Sequence, residues 1–567
     1  MNNKLRNKFK NPYLELFLNI PKDLKIKYVF DIFLVTFVGI LEFFSLSSVL
    51  FFAQKSLSDF TSILDSDNYL IANQYILILV ILLFCLKTYI ILLAGNYSYK
   101  IALDTKKFFQ DKIFSIFLRL PFNLQANNSS SDWIRILTVD LISLEGRFFT
   151  PVIVLFGEII PSLCICIFLI RVNYQIFIFI FLIFLLVGSF LLKSNNKKLV
   201  KLGEKQQSAD GAIVSLSQQA YSGIKELRIY NLRQFVFKNF KSFSKKSSES
   251  TRKGLFLGLV PRFAFEFSIY SSLGLLFIIY EYQGKTLIRS LAEILVFATA
   301  AIRLLPSVSK IISYLQSLKY AKAVVKSVVK VLSLDNDSYK FSNDLKLQKI
   351  NFESLSIRDL SFSYEDIKIL DSINLEIISG EKIAIIGPSG SGKTTFMNLA
   401  LGLLEPSKGK IFFNNKDLLY NKYHLWNSIG YVPQEPFLFN RSIQDNITLL
   451  DRELTKKEIQ KLEELIFNLD LPEYLFTDFK TIGDNGCLLS GGQKQRLSIA
   501  RAIWRDPEIL FLDESTSSLD LNTQKKIMNL ISNIMFDKTI IMISHRLETI
   551  KDFDKIFSLP EGELKLI

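Results

Sequence analysis

Seventeen consecutive residues, Ile176 to Leu192 (IFIFIFLIFLLVGSFLL), carry no charge. With Tyr174 and Gln175 the run approaches the ~20 apolar residues that a helix needs to cross ~30 Å of hydrocarbon. Five other segments resemble it less cleanly, at 27–53, 74–97, 149–171, 254–281 and 286–315. A succession of this kind predicts six membrane-spanning helices before residue 320, which a single buried helix of a soluble domain would not require.

Charge between these runs supplies an orientation. Lys and Arg number seven in residues 1–27, seven in 98–148 and fourteen in 193–253. The alternate loops are nearly bare: 54–73 holds only Lys55, the turn near 171–175 only Arg171, and 282–289 only Lys285 and Arg289. Basic loops stay on the cytoplasmic side, so both termini are expected in the cytoplasm of a cell-membrane protein. The formal charge of +14 is thereby read as topology, and no nucleic-acid partner is expected. Four cysteines (Cys85, Cys164, Cys166, Cys487) without metal-ligand spacing exclude a disulfide scaffold or zinc module. Ahead of the first run, Leu5, Phe9, Tyr13 and Phe17 recur every four residues among lysines, the pattern of a short interfacial helix.

Composition changes after about residue 325. A polar, turn-rich stretch (LDNDSYKFSNDLK) marks a linker over 326–353 between a transmembrane domain, 1–325, and a soluble domain, 354–567. In the latter, short β-branched runs alternate with amphipathic helices, the pattern of an α/β domain.

Chemistry concentrates there. Gly387-Pro388-Ser389-Gly390-Ser391-Gly392-Lys393-Thr394 fits G-x-x-x-x-G-K-[ST], behind a strand-like KIAII and ahead of a helical run from Thr395. Glycines turn backbone N–H groups toward phosphate oxygens, and the helix N-terminus adds partial positive charge. Lys393 is placed to reach the β and γ phosphates of ATP, and Thr394 to ligate Mg²⁺. Ile509-Leu-Phe-Leu-Asp513-Glu514 reads as a buried strand ending in two carboxylates: Asp513 for Mg²⁺, Glu514 as general base. Leu489-Ser490-Gly491-Gly492-Gln493 is a second glycine turn feeding a helix, hence a second anion site.

These residues resemble the ATP-binding cassette family, whose signature the Ser490 segment matches. The resemblance implies that Tyr364 stacks on adenine, that Gln434 contacts Mg²⁺ and water, that Ser518-Leu519-Asp520 is the D-loop, and that His545 is the switch histidine at the γ phosphate. Thr481-Ile-Gly-Asp-Asn-Gly is a looser version of the exporter-type loop before the signature. The implied fold is an α-helical six-span transmembrane domain fused to an α/β P-loop ATP-binding cassette, one half of an exporter. The implied assembly is a dimer, a homodimer or a pairing with a sister half-transporter, because the signature turn of one chain closes over ATP held by another. The implied activity is ATP hydrolysis coupled to transport.

Substrate candidates come from charges in the fifth and sixth spans. Arg262 stands four residues from Glu266, and Arg303 seven from Lys310. Intramembrane cations usually face an interior path, and three of them against Glu266 suit an anionic group; an internal ion pair and snorkelling side chains suit the pattern equally. These stretches look like those of PglK-type lipid-linked oligosaccharide flippases. By that resemblance Arg262, Arg303 and Lys310 line the substrate path, Glu42 has a counterpart, and the short 54–73 loop departs from the family's external helix. Export of drugs, lipids or peptides is the alternative; a cassette that gates a channel is a third reading, which needs no catalytic carboxylate, so Glu514 beside Asp513 counts against it.

Overall fold

The structure, a computed structural model, describes residues 11–60, 68–126, 129–282, 287–335, 350–365, 367–450, 452–471, 481–514, 521–544, 550 and 552–566. Within these helices the side chains of 42–43, 45–60, 68–77, 79–80, 280–281, 287–296, 299 and 521–522 lie outside the description. The chain divides into two compact units, Met1–Leu120 with Leu124–Lys340, and Pro121–Asn123 with Phe341–Ile567.

The first unit is helical. A short α1 (Pro12–Leu18) precedes α2 (Lys22–Phe60), α3 (Asn68–Arg119), α4 (Ser130–Val172), α5 (Tyr174–Ser222), α6 (Arg233–Tyr282), α7 (Leu287–Tyr320) and α8 (Lys322–Leu332). Within the described residues four stretches are long and apolar enough to cross a bilayer: Ile81–Arg119, α4, α5 and Arg233–Ile279. The first and sixth expected spans fall in α2 and α7, where many side chains are outside the description. The helices run well past the spans, as 49 residues in α5 amount to ~70 Å at 1.5 Å per residue. Asn173 separates α4 from α5: its backbone is extended and its carboxamide caps the N–H groups of Gln175 and Ile176. Glu145–Phe149 of α4 is π-helical, as is Ile136–Asp140.

An apolar cluster including Leu16, Ile101, Phe109, Leu144, Phe149, Val325 and Val328 ties α1, α3, α4 and α8 together. The seven residues from 326 to 332, assigned to the linker from sequence, therefore complete a packed helix rather than a tether. The reason is visible in AVVKSVVKVL, whose valines recur at helical spacing and are buried on one face. Of the interfacial pattern, Leu5 and Phe9 lie outside the described residues. Pro12–Leu18 forms the helix, with Asn11 as its cap and Leu16 buried.

The second unit has two sheets. A six-stranded sheet runs in the order β10-β9-β3-β8-β7-β6, from β10 (Glu563–Leu566), β9 (Lys555–Ser558), β3 (Lys382–Ile386), β8 (Thr539–Ile543), β7 (Ile509–Asp513) and β6 (Ile429–Val432). All neighbouring pairs in it are parallel except β10 with β9. A four-stranded antiparallel sheet orders β2 (Ile367–Ile378), β1 (Ser354–Tyr364), β4 (Lys408–Phe413) and β5 (Lys416–Asp417). Strand β7 explains why its sequence reads as a continuous apolar run. Ile509 and Phe511 enter the core shared with the antiparallel sheet, and Leu510 and Leu512 enter the core on the other face. Each such buried side chain contributes ~1.5–3 kcal/mol, which fixes the strand ends that carry the polar residues described next.

Candidate active site

In a parallel sheet with helices on its faces, functional loops gather at the carboxyl ends of the strands. β3 ends at Ile386, and the chain turns through Gly387 and Gly392 into α9 (Lys393–Ala400). Gly387, Gly390 and Gly392 have φ of +155°, +82° and +90°. A Cβ on Gly387 would lie 2.3 Å from the Leu559 carbonyl oxygen, and one on Gly392 2.9 Å from Ile369. Glycine is required at both by space. Pro388, Ser389, Gly390 and Thr394 are exposed, while Ser391, Lys393 and Thr395 are buried. Lys393 Nζ folds back and donates to the carbonyls of Gly387 and Pro388, 2.9 Å each. Ser391 Oγ is buried with no hydrogen-bond partner. A concave loop with one buried ammonium and an orphaned hydroxyl suits a phosphate chain.

The carboxylates converge on the same place. Asp513, 4% exposed, ends β7. Burial raises its carboxyl, and the charge of Glu514 raises it further against the pull of Lys393, to about 6. Glu514 has φ +44°, an uncommon conformation for a residue with a side chain. Its backbone N–H donates to Ile543 O at 3.2 Å, and its Oε2 accepts from Gln434 Nε2 at 2.7 Å. Gln434 follows β6 and is itself held by Gln495 Nε2 on its carbonyl oxygen, 3.3 Å. Among the described residues no cluster of three His, Cys, Asp or Glu would hold a metal alone. The set fits Mg²⁺ nonetheless, since that ion takes one or two carboxylates and completes its shell with phosphate oxygens and water. Asp513, with Thr394 and Gln434 beside it in the sequence reading, would hold it.

Two more expected elements are placed. Tyr364 at the end of β1 is 48% exposed and packs edge-on against Phe362, leaving a ring free to stack. Ser490 caps α10 (Gly491–Trp504): its hydroxyl accepts from Gln493 N, and Gln493 Oε1 accepts from Ser490 N at 2.8 Å. This reciprocal cap leaves Ser490 and Gly491 exposed, with Gly492 and Gln493 half-buried. The looser loop before it is built around Asn485, which accepts from Leu438 N and, through its carbonyl, from Lys494 Nζ. His545 and Ser518-Leu519-Asp520 lie outside the described residues, as does the side chain of Glu42.

In the helical unit Arg262 and Arg303 are exposed and Glu266 is half-buried. Lys310 pairs with Glu158 of α4, 2.6 Å from Nζ to Oε1. Sequence reasoning weighed Lys310 only against Glu266 and missed Glu158. Its signal was present as the one acid in the apolar run 149–171 (FTPVIVLFGEIIPSLCICIFLIR).

The phosphate loop, the buried aspartate and the glutamine-held glutamate together define a nucleotide-hydrolysing cassette fused to membrane helices. The ABC transporter family profile matches residues 370–517, so the second unit holds an ABC transporter domain, carried on a chain with several membrane-spanning helices that couples ATP hydrolysis to transport. It is 28% identical over 436 residues to the ATP-dependent lipid A-core flippase of Syntrophus aciditrophicus, covering 76% of this chain and 71% of that one. It is 27% identical over 474 residues to the heterocyst differentiation ATP-binding protein HepA of a Nostoc species, covering 83% and 77%. Its fold matches that of a bacterial Atm1-family ABC exporter with ATP bound, with a TM-score of 0.80 over 96% of each chain at 20% identity.

Proposed function

We propose that two copies of this chain, or this chain and a sister half-transporter, use ATP to flip an amphipathic, anionic substrate across the cell membrane. The substrate class is a lipid-linked oligosaccharide or a similar anionic glycolipid. Both termini and the cassette face the cytoplasm in this reading, on the alternation of basic and bare loops.

The observation that carries it is the convergence of Lys393, Asp513, Glu514 and Gln434 at the ends of β3, β7 and β6. Tyr364 stacks on the base; the loop from Gly387 through Thr395 wraps the phosphates; Lys393 exchanges its two carbonyl partners for β- and γ-phosphate oxygens. Thr394, Gln434 and Asp513 would hold Mg²⁺, which would supply positive charge against the phosphates. Glu514 accepts a proton from water as the water oxygen bonds to the γ phosphorus and the bond to the ADP oxygen breaks. Gln434 holds Glu514 in position, and His545 contacts the γ phosphate. The exposed turn Ser490-Gly491-Gly492-Gln493 closes over the nucleotide of the partner subunit, so binding draws two cassettes together and hydrolysis releases them.

Arg262, Arg303 and Lys310 support the anionic part of the reading, with Lys310 paired to Glu158. The relatives named lipid A-core flippases support a lipid anchor. The PglK-type likeness rests on the basic residues of α6 and α7. In vesicles containing ATP and a labelled lipid-linked oligosaccharide, wild type translocates the label and Glu514→Gln does not. Equal translocation by both sinks the coupling. ATPase stimulation by hydrophobic amines, and not by polyprenyl pyrophosphates, replaces this substrate with that of a multidrug exporter.

A further inference from the structure

Four lysines with no assigned role meet at one place in the helical unit. Lys197 and Lys201 stand four apart, hence on one face of α5. Lys319 lies near the end of α7 and Lys322 opens α8. They line a cavity of about 460 Å³ together with Tyr13, Asn196, Val200 and Glu204. Against four ammonium groups stands one carboxylate, Glu204. None of the four lysines has an ion pair or hydrogen bond among the described residues.

Height decides what such a cavity meets. α5 begins at the Asn173 turn, and 23 residues from Tyr174 to Lys197 rise ~35 Å, reaching ~40 Å at Lys201. The hydrocarbon core is ~30 Å thick and the whole bilayer ~40–45 Å. The lysines thus stand at the headgroup level of the leaflet away from the Asn173 turn. α1 marks the same level. Tyr13 lines the cavity, donates its hydroxyl to Leu318 O at 2.9 Å and stacks on Phe148 at 5.6 Å between centroids. Leu16 anchors the helix in the core, while Leu14 and Leu18, four apart, are 59% and 64% exposed. A helix lying in the interface with apolar side chains outward belongs against acyl chains.

We infer that this cavity is a headgroup site for an anionic phospholipid of the bilayer, its phosphate among Lys197, Lys201, Lys319 and Lys322 and its acyl chains along Leu14 and Leu18. Asn196 Oδ1 is buried without a partner, an acceptor that a headgroup hydroxyl satisfies, so a glycerol headgroup fits better than a bare phosphate. A basic pocket among helices at this depth offers what anionic headgroups bind. The site is separate from the substrate reading above, as none of Arg262, Arg303 or Lys310 lines it.

The test uses the full-length chain in phosphatidylcholine vesicles with spin-labelled phosphatidylglycerol, phosphatidic acid or phosphatidylcholine, following the motionally restricted fraction. Wild type holds the phosphatidylglycerol label about tenfold more tightly than phosphatidylcholine, and Lys201→Gln or Lys319→Gln weakens this roughly fivefold, the worth of one basic residue at an anionic surface. Lys201→Arg retains the preference, Glu204→Gln raises it, and Asn196→Ala removes the margin over phosphatidic acid. ATPase activity unchanged in these variants shows that the fold is intact. Unaltered preference in a Lys201→Gln/Lys319→Gln variant with intact ATPase overturns the site. Displacement of the label by millimolar inorganic phosphate overturns it too, by assigning the lysines to a soluble anion.

Discussion

Replacing Asp513 by Asn should stabilise the nucleotide-free protein, and by an amount that depends on pH. The carboxyl is 4% exposed at the end of β7; burial first, then the Glu514 charge, lift it from 3.8 to about 6, with Lys393 opposing. At ~1.4 kcal/mol per tenfold change, keeping Asp513 ionised costs the folded state up to ~3 kcal/mol. The sign follows from the raised value. Below pH ~3.8 the group is protonated whether folded or unfolded, and the charge-free variant gains nothing. Between that and about 6 the wild type progressively loses stability because the unfolded chain ionises while the folded carboxyl still holds its proton, and above about 6, where both are ionised, the full difference is reached. Urea unfolding of full-length protein stripped of nucleotide and Mg²⁺, followed by the fluorescence of Trp426 and Trp504, measures it between pH 5 and 8. The account predicts Asp513→Asn more stable at pH 8 by ~2–3 kcal/mol, with the gap narrowing toward pH 5. A variant less stable than wild type at pH 8, or a gap flat with pH, would refute the claim that Asp513 is a strained, buried charge awaiting a cation.

Three further outcomes are expected. Glu514→Gln should lower steady ATPase activity by ~10²–10⁴-fold, the usual worth of a general base, while a fluorescent nucleotide binds as before; loss of binding in parallel would make Glu514 a structural residue. Gly387→Ala places a methyl group 2.3 Å from the Leu559 carbonyl, so the loop must move, and nucleotide binding should fall at least tenfold, checked by equilibrium titration. For the Glu158–Lys310 pair, 17% and 53% exposed, a double-mutant cycle with Glu158→Gln and Lys310→Met on thermal unfolding should return a coupling of about 1 kcal/mol. Simple additivity would mean that the two charges do not stabilise one another.

Much of the second unit was legible because its signals are local. A phosphate loop needs glycines at fixed offsets, and Gly387 and Gly392 show why: one faces a carbonyl, the other Ile369. Ile509–Asp513 read as a buried strand because both of its faces are buried. Residues 326–332 were assigned to the linker in the sequence reading, and only the burial of α8 against α1, α3 and α4 shows what holds them as helix. Pairings between distant segments were the least legible. Lys310 meets Glu158 across 152 residues, and the hydrogen bond from Gln434 to Glu514 spans 80. No spacing rule connects such positions; the family resemblance supplied a role for Gln434, and nothing supplied Glu158. The four lysines of the cavity likewise come from three helices, and no spacing in the sequence joins Lys197 and Lys201 to Lys319 and Lys322.

The central claim is that one cassette holds only half of a catalytic site. Lys393→Ala leaves a sound Ser490 turn, and Ser490→Arg leaves a sound phosphate loop. Each variant purified alone should hydrolyse no ATP. Unfolded or expressed together, the two chains form mixed dimers in which one of the two sites combines the intact loop of one chain with the intact turn of the other. Random assembly should then restore about a quarter of wild-type ATPase activity, since half the dimers are mixed and each has one working site. Failure of the mixture to recover activity, or full activity in Ser490→Arg alone, would contradict a site shared between two subunits.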